Sequence, residues 1–136
     1  LYLASRSENI QYLKKFHNKK IILIDRFIDS TIAYQHYGMG VDLSIIKKLN
    51  NLLLENFKVD FTFLNIVSLK NMKERLKKRK RLNRYDKFRN NFYQKVQKGF
   101  LKLSKAKKTK YMIIDSNLEI KTNEKIIIDK IKKLIK

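Results

Sequence analysis

The chain has no cysteine, no proline, no tryptophan and only three glycines among its 136 residues. Without cysteine there is no disulfide framework and no thiolate metal site, and two histidines are too few to build a zinc centre. Without proline, and with glycine confined to Gly38, Gly40 and Gly99, no flexible linker marks a domain boundary. No apolar run approaches the roughly 18 residues of a membrane-spanning helix, and no charged-then-apolar leader is present. The expected compartment is the cytoplasm, with no membrane partner. Acidic residues are also scarce: 33 Lys and Arg face 12 Asp and Glu, for a net charge of +21.

What remains is enough to fold. Hydrophobic residues make up 43%, which places the chain outside the disordered class, and its length suits a single domain over residues 1–136. The plain reading of so much positive charge is a basic nucleic-acid-binding module. Yet lysine far outnumbers arginine, isoleucine and asparagine are also abundant, and the lysines are spread through every segment. That is the usage of A/T-rich codons and a dispersed solvated charge, so no specific nucleic-acid partner is expected. The sequence begins at Leu1 within a helical pattern, which raises the expectation of further residues upstream.

Apolar residues at helical spacing run through 1–17, where Ser5 either caps a helix or lies inside an earlier one. Short continuous apolar runs at Ile21 to Ile24, Val59 to Val67 and Tyr111 to Ile114 read as strands buried on both faces. Between and after them lie helical patterns: one capped by Asp42 and using Ile46, Leu49, Leu53 and Phe57; a very basic one over 69–82; one with Phe92, Val96, Phe100 and Leu103 on a face; and a last one with Ile127, Ile131, Leu134 and Ile135. Strands separated by so much helix cannot be hairpins, so they are expected to lie parallel, joined by right-handed crossovers. The expected class is α/β, a parallel sheet flanked by helices.

The first apolar run ends in Asp25 and Arg26, followed by Ser30, Thr31, Tyr34 and Gln35. In open parallel sheets, ligands bind outside the carboxyl ends of the strands. An Asp there suits magnesium or the attacking oxygen, an Arg suits phosphate oxygens, and Gln35 offers the donor and acceptor that read a base edge. An Asp capping the next turn beside a surface-paired Arg would give the same dipeptide. His17 and His36 lack carboxylate partners in the sequence and read as surface or capping residues. Phe88, Phe92, Tyr93 and Phe100 read as packing residues, with Tyr93 at the edge of the site.

The run Asp25-Arg26-Phe27-Ile28-Asp29-Ser30-Thr31-Ile32-Ala33-Tyr34-Gln35 resembles the DR-(Y/F/H)-x-x-S-x-x-A-Y-Q signature of the thymidylate kinase family. The order of other segments agrees: LYLASR resembles the helix ending in a phosphate-binding Arg, KVDFTFLNIV the KPDLTFLLDV strand, LNRYDKF the xDRFE lid segment and YMIIDSN the xxVIDAS strand end near adenine. The resemblance implies a phosphotransferase of nucleotide biosynthesis that moves the γ-phosphoryl of ATP to dTMP, giving dTDP and ADP, with Mg2+ as cofactor and a homodimer packed through residues such as 1–17 and 42–57. Arg6 and Arg26 would hold the dTMP phosphate, Tyr2 would stack on thymine, and Thr31, Tyr34 and Gln35 would line the base and sugar pocket, with Ser30 steadying the loop. Asp25 would serve the magnesium and phosphate network. Arg75, Arg84 and Tyr85 would contact ATP, with Arg84 the catalytic cation of a basic lid at about 75–88 and Arg79 and Arg81 as further cations. Phosphoryl transfer brings two polyanions together and asks the protein for positioning and charge, so arginines from separate segments must converge.

Departures accompany the likeness. Asn83 replaces a frequent Asp, Val59 a usual Pro, and Asn65 an apolar or acidic residue. No G-x-x-x-x-G-K-(S/T) occurs, so the cradle for ATP phosphates is missing. The implied fold is accordingly a partial P-loop nucleoside monophosphate kinase fold, first strand and P-loop absent, inactive as the chain stands. The alternatives are a different nucleoside monophosphate kinase and the basic nucleic-acid-binding module.

Overall fold

The computed structural model describes residues 2–16, 19–55, 57–79 and 90–135. Helix α1 (Tyr2–Lys14) starts before Ser5, so the Ser5–Glu8 stretch lies inside the helix and does not cap it. Ile10, fully buried, anchors α1 in the core, where α1 packs against helix α3 (Leu43–Leu54). Helix α3 begins where Asp42 predicts: its Oδ1 accepts from the Ser44 amide at 2.6 Å and the Ile45 amide at 3.3 Å, satisfying donors that the first turn leaves open. At the far end Glu55, at φ 50°, ends the helix and pairs with Lys14 of α1 across 2.5 Å.

Two strands form a parallel pair, β1 (Thr62–Ile66) and β2 (Tyr111–Asp115), in the register Thr62 to Tyr111, Leu64 to Ile113 and Ile66 to Asp115. Leu64 and Ile114 point into the core. The crossover contains α4 (Leu69–Lys77), capped by Ser68, whose Oγ accepts from the Asn71 amide at 3.2 Å, and α5 (Asn90–Ala106). Helix α6 (Ile120–Leu134) follows β2. The fold is α/β with a parallel sheet flanked by helices, as the sequence pattern predicts.

The third expected strand is not formed. Residues 21–24 belong to no strand, and Ile21, Leu23 and Ile24 are 62%, 79% and 39% exposed. Apolar patterning supplies a reason for burial, but a strand also needs a neighbour to receive its backbone hydrogen bonds, and the described residues offer none beside this run. The basic helix is likewise shorter than expected, ending at Lys77 with Lys78 as its cap.

After the turn at 25–27 the chain makes a single α-turn, α2 (Ile28–Thr31), and then widens into a π-helix, Ile32–Gly38. This segment buries Ile32 and Ala33 against α5. The approach is close on both sides and requires glycine at position 99. A Cβ on Gly99 would lie 2.5 Å from the Tyr37 ring, and one on Gly38 would lie 2.6 Å from Phe92 Cε2.

Candidate nucleotide site

Asp25 and Arg26 emerge exposed where the 21–24 run turns. Arg26 has φ 59°, a left-handed conformation that disfavours residues with a Cβ and persists where surrounding structure imposes it. Its guanidinium carbon lies 5.4 Å above the centre of the Tyr34 ring. That ring is in turn held edge-on by Phe92 and Phe100 of α5, at 5.9 and 6.3 Å. The apolar face of α5 therefore supports Tyr34, and Tyr34 supports Arg26.

Arg6 approaches the same turn from α1. Its Nη1 donates to Asn50 Oδ1 of α3 at 3.3 Å and its Nη2 to the Phe27 carbonyl at 3.4 Å, with the Phe27 ring 5.6 Å away. The Phe27 ring is buttressed edge-on by Phe57. Arg6 thus meets the residue that directly follows Arg26. Burial pushes the Arg6 pKa down, because a desolvated cation is disfavoured. Both acceptors of Arg6 are neutral. Its charge is left available to an anion.

Ser30, Thr31 and Gln35 are half-buried along α2 and the π-helix. The Ser30 amide closes the first turn on the Phe27 carbonyl at 3.1 Å. The expected grouping of Thr31, Tyr34 and Gln35 assumed α spacing; from Ile32 onward the segment follows the i→i+5 ladder of a π-helix instead. Just behind, Tyr111 donates its hydroxyl to Asp29 Oδ2, while Asp29 Oδ1 is buried with no partner among the described residues. Desolvation first, then the Asp29 carboxylate, raises the Tyr111 pKa.

A second locality forms at the carboxyl ends of β1 and β2. Asp115 Oδ1 accepts from the Asn117 amide at 2.9 Å, and Asn117 Oδ1 accepts from the Ser68 amide at 3.1 Å and Asn71 Nδ2 at 2.9 Å. This network ties the end of β2 to the start of α4. Arg75 of α4 donates to the Ser116 carbonyl and lines a cavity of about 440 Å³ with Asn65, Asn123 and Ile127. Apolar walls with a few amides and one guanidinium suit a planar heteroaromatic base. Asn65, for which the sequence offered no account, faces this cavity.

Arg84, Tyr85, His17 and Phe88 lie outside the described residues, as does the lid beyond Arg79, and the side chain of Tyr2 is not among those described. His36 accounts for itself structurally, its Nδ1 2.9 Å from the Val41 carbonyl. Among the described residues no group of three acidic, His or Cys side chains gathers as a metal cage. Two residues escaped sequence reasoning: Asp29, one position before Ser30, and Asn50. The signal for Asn50 was present, a polar residue one turn after Ile46 on an otherwise apolar stripe.

Comparison with known proteins identifies the family. The family model described as thymidylate kinase matches residues 1–127. A thymidylate kinase of Sulfurihydrogenibium sp. (strain YO3AOP1) is 36% identical over 134 residues, covering 97% of this chain and 65% of that protein. One from Mycoplasma capricolum subsp. capricolum is 37% identical over 140 residues, covering 97% and 66%. The crystal structure of the thymidylate kinase from Ehrlichia chaffeensis superposes with a TM-score of 0.66 at 31% identity, covering 98% of this chain and 62% of that one. The chain spans about two thirds of the length of such relatives, and 55% in the case of the Trichodesmium erythraeum enzyme.

Proposed function

The chain belongs to the thymidylate kinase family, and from that premise we propose that it forms the acceptor and lid portion of a dTMP kinase. In the reaction an oxygen of the dTMP 5′-phosphate attacks the γ-phosphorus of ATP, the bond from that phosphorus to the β,γ-bridging oxygen breaks, and dTDP and ADP result. Arg6 and Arg26 hold the acceptor phosphate; Tyr2, Thr31, Tyr34 and Gln35 recognise thymidine, with Ser30 holding the turn. Arg75 lies against adenine, and Arg84 of the basic lid segment stabilises the transferring group, with Tyr85 also serving the ATP site. The observation that carries this reading is the half-buried Arg6 guanidinium, whose acceptors among the described residues are neutral, one of them the carbonyl of Phe27 directly after Arg26. A desolvated cation of this kind costs free energy unless an anion joins it.

Magnesium fits the donor set in one way. Mg2+ is commonly held by one or two carboxylates together with waters and substrate phosphates, and Asp25 is a single exposed carboxylate at the turn. When bound there the ion neutralises charge on the phosphates. As further parts of the proposal, exposed Ile45, Leu49 and Leu52 on α3 contribute to a homodimer face, and the protein works in the cytoplasm. No helix among the described residues is long and apolar enough to cross a membrane.

Because the 136 residues contain no Gly-x-x-x-x-Gly-Lys-Ser/Thr stretch, binding rather than turnover tests this reading. Calorimetric titration is expected to show dTMP bound about tenfold or more tighter than dUMP, which lacks one methyl group, and than dGMP. Equal affinity for all three, or binding of a labelled oligonucleotide that outcompetes dTMP at moderate salt, would overturn it.

A further inference from the structure

We propose that Asn50 is a positioning residue that aims the Arg6 guanidinium at the acceptor phosphate without neutralising it; the inference rests on the dTMP reading above. Asn50 is 4% exposed, on the face of α3 that also buries Ile46. An amide on an apolar helix face is costly unless hydrogen-bonded, and a leucine there would extend the stripe. Its acceptor is used by Arg6 Nη1 at 3.3 Å. Arginine has no acceptor, so the amide must present its oxygen to it, which fixes the orientation of Asn50.

With Nη2 on the Phe27 carbonyl at 3.4 Å and the Phe27 ring 5.6 Å from the guanidinium carbon, the fork is constrained from two sides. The chemistry of position 50 then decides what the cation can do. An aspartate would bond more strongly, in the same shape, but would compensate the charge internally. An asparagine orients the fork and leaves the full positive charge for a phosphomonoester. The difference between an amide and a carboxylate at one buried position separates a structural ion pair from a binding site.

Two substitutions test this, with thymidine, which lacks the phosphate, as the comparison ligand. Asn50→Asp is expected to weaken dTMP about tenfold while thymidine binding stays within twofold. Asn50→Leu is expected to weaken dTMP severalfold and, with no ligand present, to raise the rate at which phenylglyoxal modifies Arg6, read by mass spectrometry. Both losses of dTMP affinity are expected to vanish on an Arg6→Ala background. The proposal is overturned if Asn50→Asp binds dTMP like the parent, if dTMP and thymidine weaken together, or if Asn50→Leu leaves Arg6 modification unchanged. Should the parent fail to distinguish dTMP from thymidine, the dTMP reading falls, while the modification rate still decides whether Asn50 holds Arg6.

Discussion

Replacing Gly99 by alanine sets two well-understood effects against each other. Gly99 lies within α5, and in a helix interior glycine is about 1 kcal/mol less favourable than alanine. Propensity alone therefore makes Gly99→Ala stabilising. The structure reverses the sign: the new methyl group would lie 2.5 Å from Tyr37 Cδ2, 2.7 Å from Cγ and 2.8 Å from Cβ. The last of these is one bond from the backbone, so no rotation of the tyrosine clears it, and the π-helix or α5 must shift. Overpacking of this kind costs about 1–3 kcal/mol, and the forced backbone movement favours the upper part of that range. The net loss is about 1–2 kcal/mol, or roughly 4–8 °C in Tm. Urea unfolding followed by far-UV circular dichroism reads it as a lower midpoint at unchanged slope. Gly38→Ala is expected to lose less for its contact, because the nearest atom is the outer ring carbon of Phe92 at 2.6 Å, which can swing. A Gly99→Ala protein as stable as the parent or more so would refute the close approach of the two helices.

Arg6→Ala is expected to weaken dTMP roughly 10–100-fold, and Arg6→Lys nearly as much because one ammonium cannot reproduce the fork; calorimetry checks it, and a change under twofold removes Arg6 from the site. The Tyr111 pKa is raised in the folded protein, so its contribution is complete below the ordinary tyrosine value and is lost as pH rises beyond it, where the unfolded chain gives up its proton first. Alkaline unfolding curves of the parent and of Tyr111→Phe are expected to differ in slope there, and parallel curves would count against the buried phenol. Asp42 titrates below the usual carboxylate range, chiefly through its hydrogen bonds from Ser44, so its cap holds α3 fully at neutral pH and fails as acid protonates it. Asp42→Asn keeps an acceptor without the titration, and the acid loss of helical signal is expected to flatten in that variant.

The parts of the fold that a one-dimensional pattern can encode were legible. Strands β1 and β2, their parallel pairing, the Asp42 cap and the face of α5 follow from apolar spacing and from the length of chain between strands; the face expected on α6 is not buried, and Leu134 and Ile135 are exposed. The 21–24 run was misread because periodicity reports a wish to be buried, whereas a strand is completed by a partner. The π-helix was invisible since Ile32 to Gly38 carries nothing that distinguishes an i→i+5 ladder from an α-helix. The left-handed Arg26 also escaped, as nothing in an Asp-Arg pair announces positive φ. At the candidate site Arg6 was found by resemblance, but its partner Asn50 depends on α1 and α3 lying side by side, a tertiary fact. Asp29 was missed for the same reason: only the folded chain brings Tyr111 to it.

The pairing of Thr62 with Tyr111 governs the order in which the molecule assembles. Helices α1, α3 and α5 gain their first stabilisation from neighbours a few residues away, but the two strands gain nothing until the whole crossover between them has closed, at an entropic cost that must be met in advance. The cavity at the carboxyl ends of both strands cannot exist before the sheet closes. The Arg6 locality joins residues 44 positions apart, so it too waits on the closure of a comparable length of chain, and both localities depend on the same long-range assembly.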